Sequence, residues 1–338
     1  DKLSARAAAR EAGVPLVPGT EGIATLKAAR EAAEGLGYPV VMKASAGGGG
    51  KGMFRADSAA DLDASFARAA REAEAAFGDG RLYMERLIAR ARHVEVQVLG
   101  DGEGGVVHFG DRDCSVQRRY QKLVEEGPVT AMPAALQARL REAAVRLCAQ
   151  ARYRSAGTVE FLYDADREAF HFIEVNSRIQ VEHPVSEMVT GEDLIARQLS
   201  VAAGRGIGVA QDAVRIEGHA IEVRVNAEDP RADFRPSPGR VTGWGPPEGE
   251  GVRVDSAMRE GDPIPPFYDS MVAKLIVRGR DRSDAIERSL RAIRDFRIEG
   301  VRTTLPLAAF VVGHPDFRDN RVTTRWLEDA GLPRFLKE

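Results

Sequence analysis

The chain has 338 residues, 43% hydrophobic and 29% charged, with 48 basic against 51 acidic side chains and a formal charge of −3. That length suits about two or three domains with ordinary soluble cores, and the near-balance of charge excludes a general polyanion binder while leaving room for a local basic patch on a phosphate. Apolar runs stay short of the roughly 20 residues that span a bilayer, no signal peptide is visible, and the two cysteines, Cys114 and Cys148, point to a reducing compartment, with one disulfide as the alternative.

In chain order, residues 4–12 predict a short Ala- and Arg-rich helix stopped by Gly13, followed by an extended segment to Gly19. Thr20 reads as the cap of a helix reaching about Leu36, which Gly37-Tyr38-Pro39 breaks. Residues 40–43 form a strand that runs into four glycines. Leu62, Phe66, Ala69, Ala73 and Phe77 recur at helical spacing, so 58–77 is a helix. Strands follow at 82–86 and 94–99, then a helix at 133–151 that starts on Pro133. Strands 158–163 and 170–175 flank Asp164-Ala165-Asp166-Arg167, good turn material for a hairpin. Residues 192–203 are helical. Beyond Gly204 the segment 214–277 is rich in short strands, Gly and Pro, and reads as a separate β-rich subdomain closed by a helix at 283–296. The fold class is α+β.

Gly47-Gly48-Gly49-Gly50-Lys51-Gly52 invites a phosphate, because amides without side chains approach phosphate oxygens closely. It is not a Walker A loop: Gly52 stands where Ser or Thr is required. It satisfies G-x-G-x-x-G at Gly47, Gly49 and Gly52, but strand-like Met53-Phe54-Arg55 follows instead of a helix. A lid between two strands fits better, and a plain surface loop is the alternative. Lys43, at the end of the preceding strand, is placed to reach a phosphate as a point charge.

In the hairpin, Glu160 stands among apolar neighbours, and the even positions Glu174, Asn176 and Arg178 share a face. With the turn centred on residues 165–167, Glu160 falls opposite Ile173 or Glu174, the register staying open. Two carboxylates and an amide oxygen on one face repel unless a cation sits between them, and oxygen ligands favour a hard ion, Mg²⁺ first. A solvent-facing polar strand is the alternative. Downstream, Arg178, Gln180 and Glu182 alternate with Ile179 and Val181, a set able to hold a small oxyanion and take its proton. His183, next to a proline, receives no role.

Longer motifs add a family resemblance. Lys43-Ala44-Ser45-Ala46 with its glycines resembles the lid of ATP-grasp enzymes. The 112–122 run from Arg112 to Lys122, the block Glu174-Val175-Asn176-Ser177-Arg178-Ile179-Gln180-Val181-Glu182-His183, and the stretch from His219 through Arg224 to Pro230 resemble biotin carboxylases. Pro236-Ser237-Pro238-Gly239 and Pro265-Pro266-Phe267-Tyr268-Asp269-Ser270-Met271 extend that likeness over nearly the whole chain.

The resemblance implies an ATP-grasp domain over 1–204, with its lid subdomain at about 45–86, and a biotin carboxylase C-terminal domain over 214–330. It also implies that the family's Rossmann-like N-terminal domain is absent from this sequence. Lys2, Lys43, Gly48, Gly49, Gly50, Glu85, His93 and Gln117 match nucleotide-binding positions. Glu160, Glu174 and Asn176 match Mg²⁺ ligands, with Mn²⁺ a substitute. Lys122, Arg178, Gln180 and Val181 match the bicarbonate site. Glu182 matches the general base and Arg224 the residue that stabilises the biotin enolate. Tyr120 stands where many relatives carry His or Asn.

The implied reaction is ATP-dependent carboxylation of carrier-bound biotin through carboxyphosphate. A carboxyl carrier and a carboxyltransferase are the implied partners, in a homo-oligomer without nucleic acid or membrane. The implied compartment is the cytoplasm, or the mitochondrial matrix if a transit segment once preceded Asp1. A carbamoyl-phosphate synthetase-like ligase and a silent nucleotide-binding module are the alternatives.

Overall fold

The computed structural model describes residues 2–20, 22–44, 53–78 and 80–338, apart from the side chains of residues 2, 3 and 77. Gly48, Gly49, Gly50 and the Lys2 side chain therefore lie outside the described residues. Helix α1 (Lys2–Glu11) opens the chain. Helix α2 (Leu26–Leu36) begins later than the sequence suggests: Thr25 caps it, accepting from the Ala28 amide at 3.2 Å. Thr20 instead gives its amide to the Met84 carbonyl at 2.8 Å, because Gly19 and Ile23 bridge to a later strand.

A small antiparallel sheet comes first in the chain. It contains β1 (Val40–Ala44), β2 (Met53–Ala56) and, after helix α3 (Ala59–Phe77), β3 (Leu82–Arg86), in the order β2-β1-β3. Val40, Met42, Leu82 and Met84 point to one face and pack on Ala29, Ala33, Leu62, Ala69 and Ala73 of the two helices. The strand period of two leaves Lys43, Tyr83 and Glu85 on the other face, where β1 and β3 pair Lys43 with Tyr83.

The large sheet is antiparallel and eight-stranded. Its early strands are β4 (Ala91–Asp101), β5 (Val106–Arg118), β6 (Gln121–Gly127), β7 (Arg154–Asp164) and β8 (Ala169–Asn176), with helix α4 (Ala134–Gln150) between β6 and β7. Val94, Val96, Val98, Phe161 and Phe172 face α4 and α1, and Leu136, Leu140 and Leu147 close that core. Fully burying a side chain of this size stabilises by about 1.5–3 kcal/mol. The β7–β8 turn forms as expected, with Asp164 accepting from the amides of Asp166 at 3.1 Å and Arg167 at 3.3 Å.

Two bulges set which polar side chains reach the opposite face. Phe161 pairs with Phe172 but Glu160 with Glu174, so Ile173 is the extra residue. A regular strand would put Glu174 beside Phe172 on the apolar face; the bulge reverses the parity and sends Glu174 to the side of Glu160. On β5 and β6, Gln117 pairs with Lys122 but Val116 with Val124. Leu123 and Val124 both enter the core, which puts Lys122 and Glu125 on one face although they are three residues apart.

After β8 the chain is not a strand. Residues 177–182 turn, and helix α5 (His183–Thr190) starts with Glu182 at its cap. The alternation of Arg178, Gln180 and Glu182 thus belongs to a turn, where φ and ψ change at each step, and their side chains do not share a strand face. Helix α6 (Leu194–Ala202) follows, capped by Asp193.

The segment beyond Gly204 does not make a sheet apart. Strand β9 (His219–Asn226) pairs directly with β6. Short β10 (Glu228–Asp229) and β11 (Arg235–Pro236) pair with each other. Next come β12 (Gly239–Arg240), β13 (Gly243–Gly245) and β14 (Val252–Asp255), then β15 (Pro263–Ile264) and β16 (Met271–Gly279). The large sheet runs β14-β16-β9-β6-β5-β4-β7-β8. Ile221, Val223, Val225, Leu275 and Val277 alternate toward helices α7 (Arg282–Asp295) and α8 (Leu305–Gly313), so backbone pairing and a shared core fuse this part to the rest. Among the described residues no helix is long and apolar enough to cross a membrane. Cys114 and Cys148 are buried, free thiols.

Candidate active site

On the sheet face away from α4, β7 and β8 present three oxygen-bearing groups. Glu160 is buried; its Oε1 accepts from Gln180 at 3.0 Å and Lys122 at 3.1 Å, and its Oε2 lies 3.1 Å from His93 Nε2. Burial would raise this carboxyl's pKa, but His93, then Lys122 and Gln180, hold it well below the usual range. Glu174, its cross-strand partner, and Asn176, opposite Thr158, are half-buried and have no hydrogen-bond or ion-pair partner among the described residues. Two carboxylates and an amide oxygen, two of the three groups unengaged, suit a hard divalent ion. His93, Glu95 and Glu160 also come within ligand range of one another, as do Glu95, Cys114 and Glu182. Lys122 already supplies a cation to Glu95, Glu160 and Glu182, which makes those groupings poorer hosts.

The densest electrostatics surround Lys122 and Glu182. Lys122 Nζ lies 2.6 Å from Glu182 Oε1 and 2.7 Å from Glu95 Oε2. Arg224 bridges two strands and a helix cap, its Nε at 2.6 Å from Glu125 and its Nη2 at 2.9 Å from Glu182 Oε2. Arg112 backs the cluster, donating to Glu95 at 2.7 Å, Gln97 at 2.8 Å and Ser186 of α5 at 2.9 Å. Burial pushes the Glu182 pKa up, but Lys122, then Arg112 and Arg224, bring it down to about 2. Burial wins at Glu125, against Arg224, and raises it to about 7. Burying an ion costs several kcal/mol of hydration, while two charges 4 Å apart recover about 4 kcal/mol at an effective dielectric of 20. One partner roughly balances Glu182; two make it firmly ionised.

The small sheet brings a second set. Lys43 Nζ lies 2.5 Å from Glu85 Oε2, and Arg6 pairs with the other oxygen of Glu85. Both cations also stand over the Tyr83 ring, at 5.5 Å for Arg6 and 5.9 Å for Lys43. Tyr83 feels the charge of Glu174, which links this set to the end of β8.

The sequence-predicted residues fall into three places. Lys122, His93, Glu160, Gln180, Glu182 and Arg224 form one contact network. Lys43 and Glu85 form the second; there the Glu85 side chain is spent on ion pairs with Lys43 and Arg6. Arg178 stands apart, exposed, donating to the carbonyl of neighbouring Ile179 at 3.3 Å. Gln117 is buried opposite Lys122, bonded to the Cys114 carbonyl at 3.3 Å. The Val181 carbonyl accepts from Lys274 at 3.0 Å, and His183 bonds the Gln180 carbonyl at 2.7 Å, holding the turn. Sequence reasoning missed Glu95, Arg112 and Glu125. Glu95 carried the same signal as Glu160, a carboxylate between apolar residues on a strand; Arg112 opens the 112–122 motif; Glu125 gave no local sign.

Known proteins show the same arrangement of segments. Residues 1–209 match the family profile of the carbamoyl-phosphate synthase L chain ATP-binding domain, and residues 222–329 match that of the biotin carboxylase C-terminal domain. A biotin carboxylase of a Nostoc species is 47% identical over 330 residues, covering 97% of this chain and 74% of its own. A pyruvate carboxylase component from Methanothermobacter thermautotrophicus is 44% identical, covering 100% and 70%. The Campylobacter jejuni biotin carboxylase, in complex with β,γ-ATP, superposes with a TM-score of 0.92 at 43% identity, over 97% of this chain and 73% of that one. The biotin carboxylase domain dimer of Hydrogenobacter thermophilus 2-oxoglutarate carboxylase, holding MgADP and bicarbonate, also gives 0.92, at 42% identity over 99% and 74%.

Proposed function

Since the chain belongs to the biotin carboxylase family, an ATP-dependent ligase family, we propose which of its side chains carry each part of the carboxylation of biotin. ATP binds with its phosphates toward Lys43 and the glycine loop, where Lys43 exchanges Glu85 for a phosphate. Glu160, Glu174 and Asn176 hold Mg²⁺, which when bound screens the phosphate oxygens. Lys122, Arg178, Gln180 and the Val181 backbone hold bicarbonate, and Glu182 takes its proton. The bicarbonate oxyanion then attacks the γ-phosphate and displaces ADP to give carboxyphosphate; this breaks down to CO₂ and phosphate, the phosphate takes the proton from the biotin ureido nitrogen, and Arg224 stabilises the biotin oxyanion that captures CO₂.

The observation that carries this reading is Glu182 held between Lys122 at 2.6 Å and Arg224 at 2.9 Å. With both cations in place its pKa sits at about 2, too low for a good proton acceptor. A bicarbonate oxyanion draws Lys122 toward itself, and the proton affinity of Glu182 rises as that contact forms. The base is therefore weak without substrate and stronger with it.

The biotin is carried by a separate carrier protein or domain and is discharged by a carboxyltransferase, as the multi-part names of pyruvate and 2-oxoglutarate carboxylase relatives suggest. The dimer of one relative's biotin carboxylase domain supports a homo-oligomer here. The test is transfer of labelled bicarbonate to biotin by the full enzyme with MgATP. Transfer that needs ATP, bicarbonate and Arg224 supports the reading. Turnover that needs ammonia instead would favour the carbamoyl-phosphate synthetase-like alternative, whose profile matches only residues 1–209.

A further inference from the structure

Behind Arg224 lies a carboxyl pair that the mechanism above does not use. Glu125 on β6 and Glu222 on β9 are direct cross-strand partners, and both are fully buried. Such partners have Cβ atoms about 4.5–5.5 Å apart. Glu125 spends Oε1 on Arg224 Nε at 2.6 Å. Its Oε2 and both oxygens of Glu222 have no hydrogen-bond partner among the described residues. Two adjacent buried carboxylates cannot both ionise cheaply, and an unpaired buried ion is worse still. One proton resolves both problems: a neutral Glu222 carboxylic acid donates to the free oxygen of Glu125, which stays ionised on Arg224.

We propose that Glu125 and Glu222 share a single proton and act as positioning residues, a clamp that fixes the Nε edge of Arg224 and leaves its other edge for Glu182 and the reacting oxyanion. This rests on the reading that Arg224 serves the biotin side of the site. The surroundings agree. Lys122 on β6, Arg224 on β9, Lys274 on β16 and Glu182 at the cap of α5 are the charged groups acting on the pair. From α5, His183 turns to the Gln180 carbonyl and Glu187 to Arg253 of β14; Asp255 on β14 is taken by Arg253 and Lys274. Helices α7 and α8 cover the opposite, apolar face. Burial, reinforced by Glu125, pushes Glu222 well above the ordinary carboxyl range.

The sign of the pH effect follows. A carboxyl whose folded pKa is raised binds its proton more tightly in the native state, so its contribution is complete below the ordinary glutamate value of about 4.3 and fades as pH rises through the folded value. Across that window one linked proton changes the unfolding equilibrium about tenfold per pH unit. Glu222→Gln, permanently neutral and still a donor, removes that slope and becomes more stable than the parent at alkaline pH. The carbonyl stretch of a protonated carboxylic acid disappears from its infrared spectrum at neutral pH. In the full enzyme, Glu222→Leu lowers turnover on biotin about tenfold with KM for ATP unchanged, and Glu222→Gln restores most of it.

An unchanged infrared band and an unchanged pH slope in Glu222→Gln would overturn the shared proton; equal turnover in Glu222→Leu and Glu222→Gln would overturn the clamp. If Glu222→Leu does not fold, the infrared and pH measurements on Glu222→Gln decide alone. Arg224→Ala serves as the separate arm: full carboxylation by that variant removes the underlying site reading, whatever the Glu222 variants do.

Discussion

The two ends of the site differ in how much of their electrostatics the protein has already settled. Around Lys122, buried Glu182, Glu95 and Glu160 converge on one ammonium. At the end of β8, Glu174 and Asn176 are half-buried with no partner among the described residues, and Arg178 is exposed. The first region is built by strand pairing that folding completes; the second has capacity left over for ions and phosphates. A site that must both fold alone and bind charged substrates needs this division. Full pairing everywhere would leave nothing to bind, and no pairing in the interior would not fold.

Breaking the closed end should do the most damage. Lys122→Met leaves three buried carboxylates short of a cation, and an uncompensated buried charge costs about 3–5 kcal/mol. Denaturant unfolding should show that loss together with loss of turnover; unchanged stability would mean that Lys122 is not the keystone of the cluster. A purely structural ion cluster sharpens the contrast. Glu126 meets His219 at 2.8 Å and Arg282 at 2.7 Å. Burial raises its pKa, but those partners bring it to about 2. A depressed carboxyl stabilises above its unfolded value of about 4.3 and loses that contribution as pH falls toward 2. Glu126→Gln should therefore flatten the acid limb of stability by roughly 3 kcal/mol while metal and bicarbonate dependence stay as they were. An unaltered acid limb would count against it.

The open end should respond in the opposite way. Glu174→Gln should raise the Mg²⁺ concentration needed for half-maximal turnover about ten- to a hundredfold, by analogy with the loss of a supporting metal group. Stability should change by less than about 0.5 kcal/mol, as for ordinary part-exposed substitutions. A large loss of stability with unchanged metal dependence would place Glu174 with the structural charges instead.

The same contrast governs what could be read from the chain alone. The hairpin residues Glu160, Glu174 and Asn176 were legible because polar groups interrupt an apolar strand pattern beside a clear turn. The pattern leaves Glu160 opposite Ile173 or Glu174; a bulge at Ile173, which period-two reasoning cannot see, sets it opposite Glu174. The 106–127 stretch does not read as two strands, since Arg112, Asp113, Glu125 and Glu126 put charges where alternation expects apolar residues. Those charges are tolerated only because β4, β5, β6 and β9 lie side by side, a long-range pairing that carries no local mark. The same pairing carries the sheet past Gly204, where composition suggested a break. Thr20 does not cap α2, because its amide and its neighbours Gly19 and Ile23 are taken by β3.

The central claim is that Glu182 is the proton acceptor and that Lys122 and Arg224 hold it ionised until bicarbonate arrives. Glu182→Gln keeps the shape and removes the base. Bicarbonate-dependent ATP hydrolysis by that variant should fall about 10²- to 10⁴-fold, the range for losing a general base, with nucleotide affinity retained. Hydrolysis at the parent rate, still dependent on bicarbonate, would contradict the account.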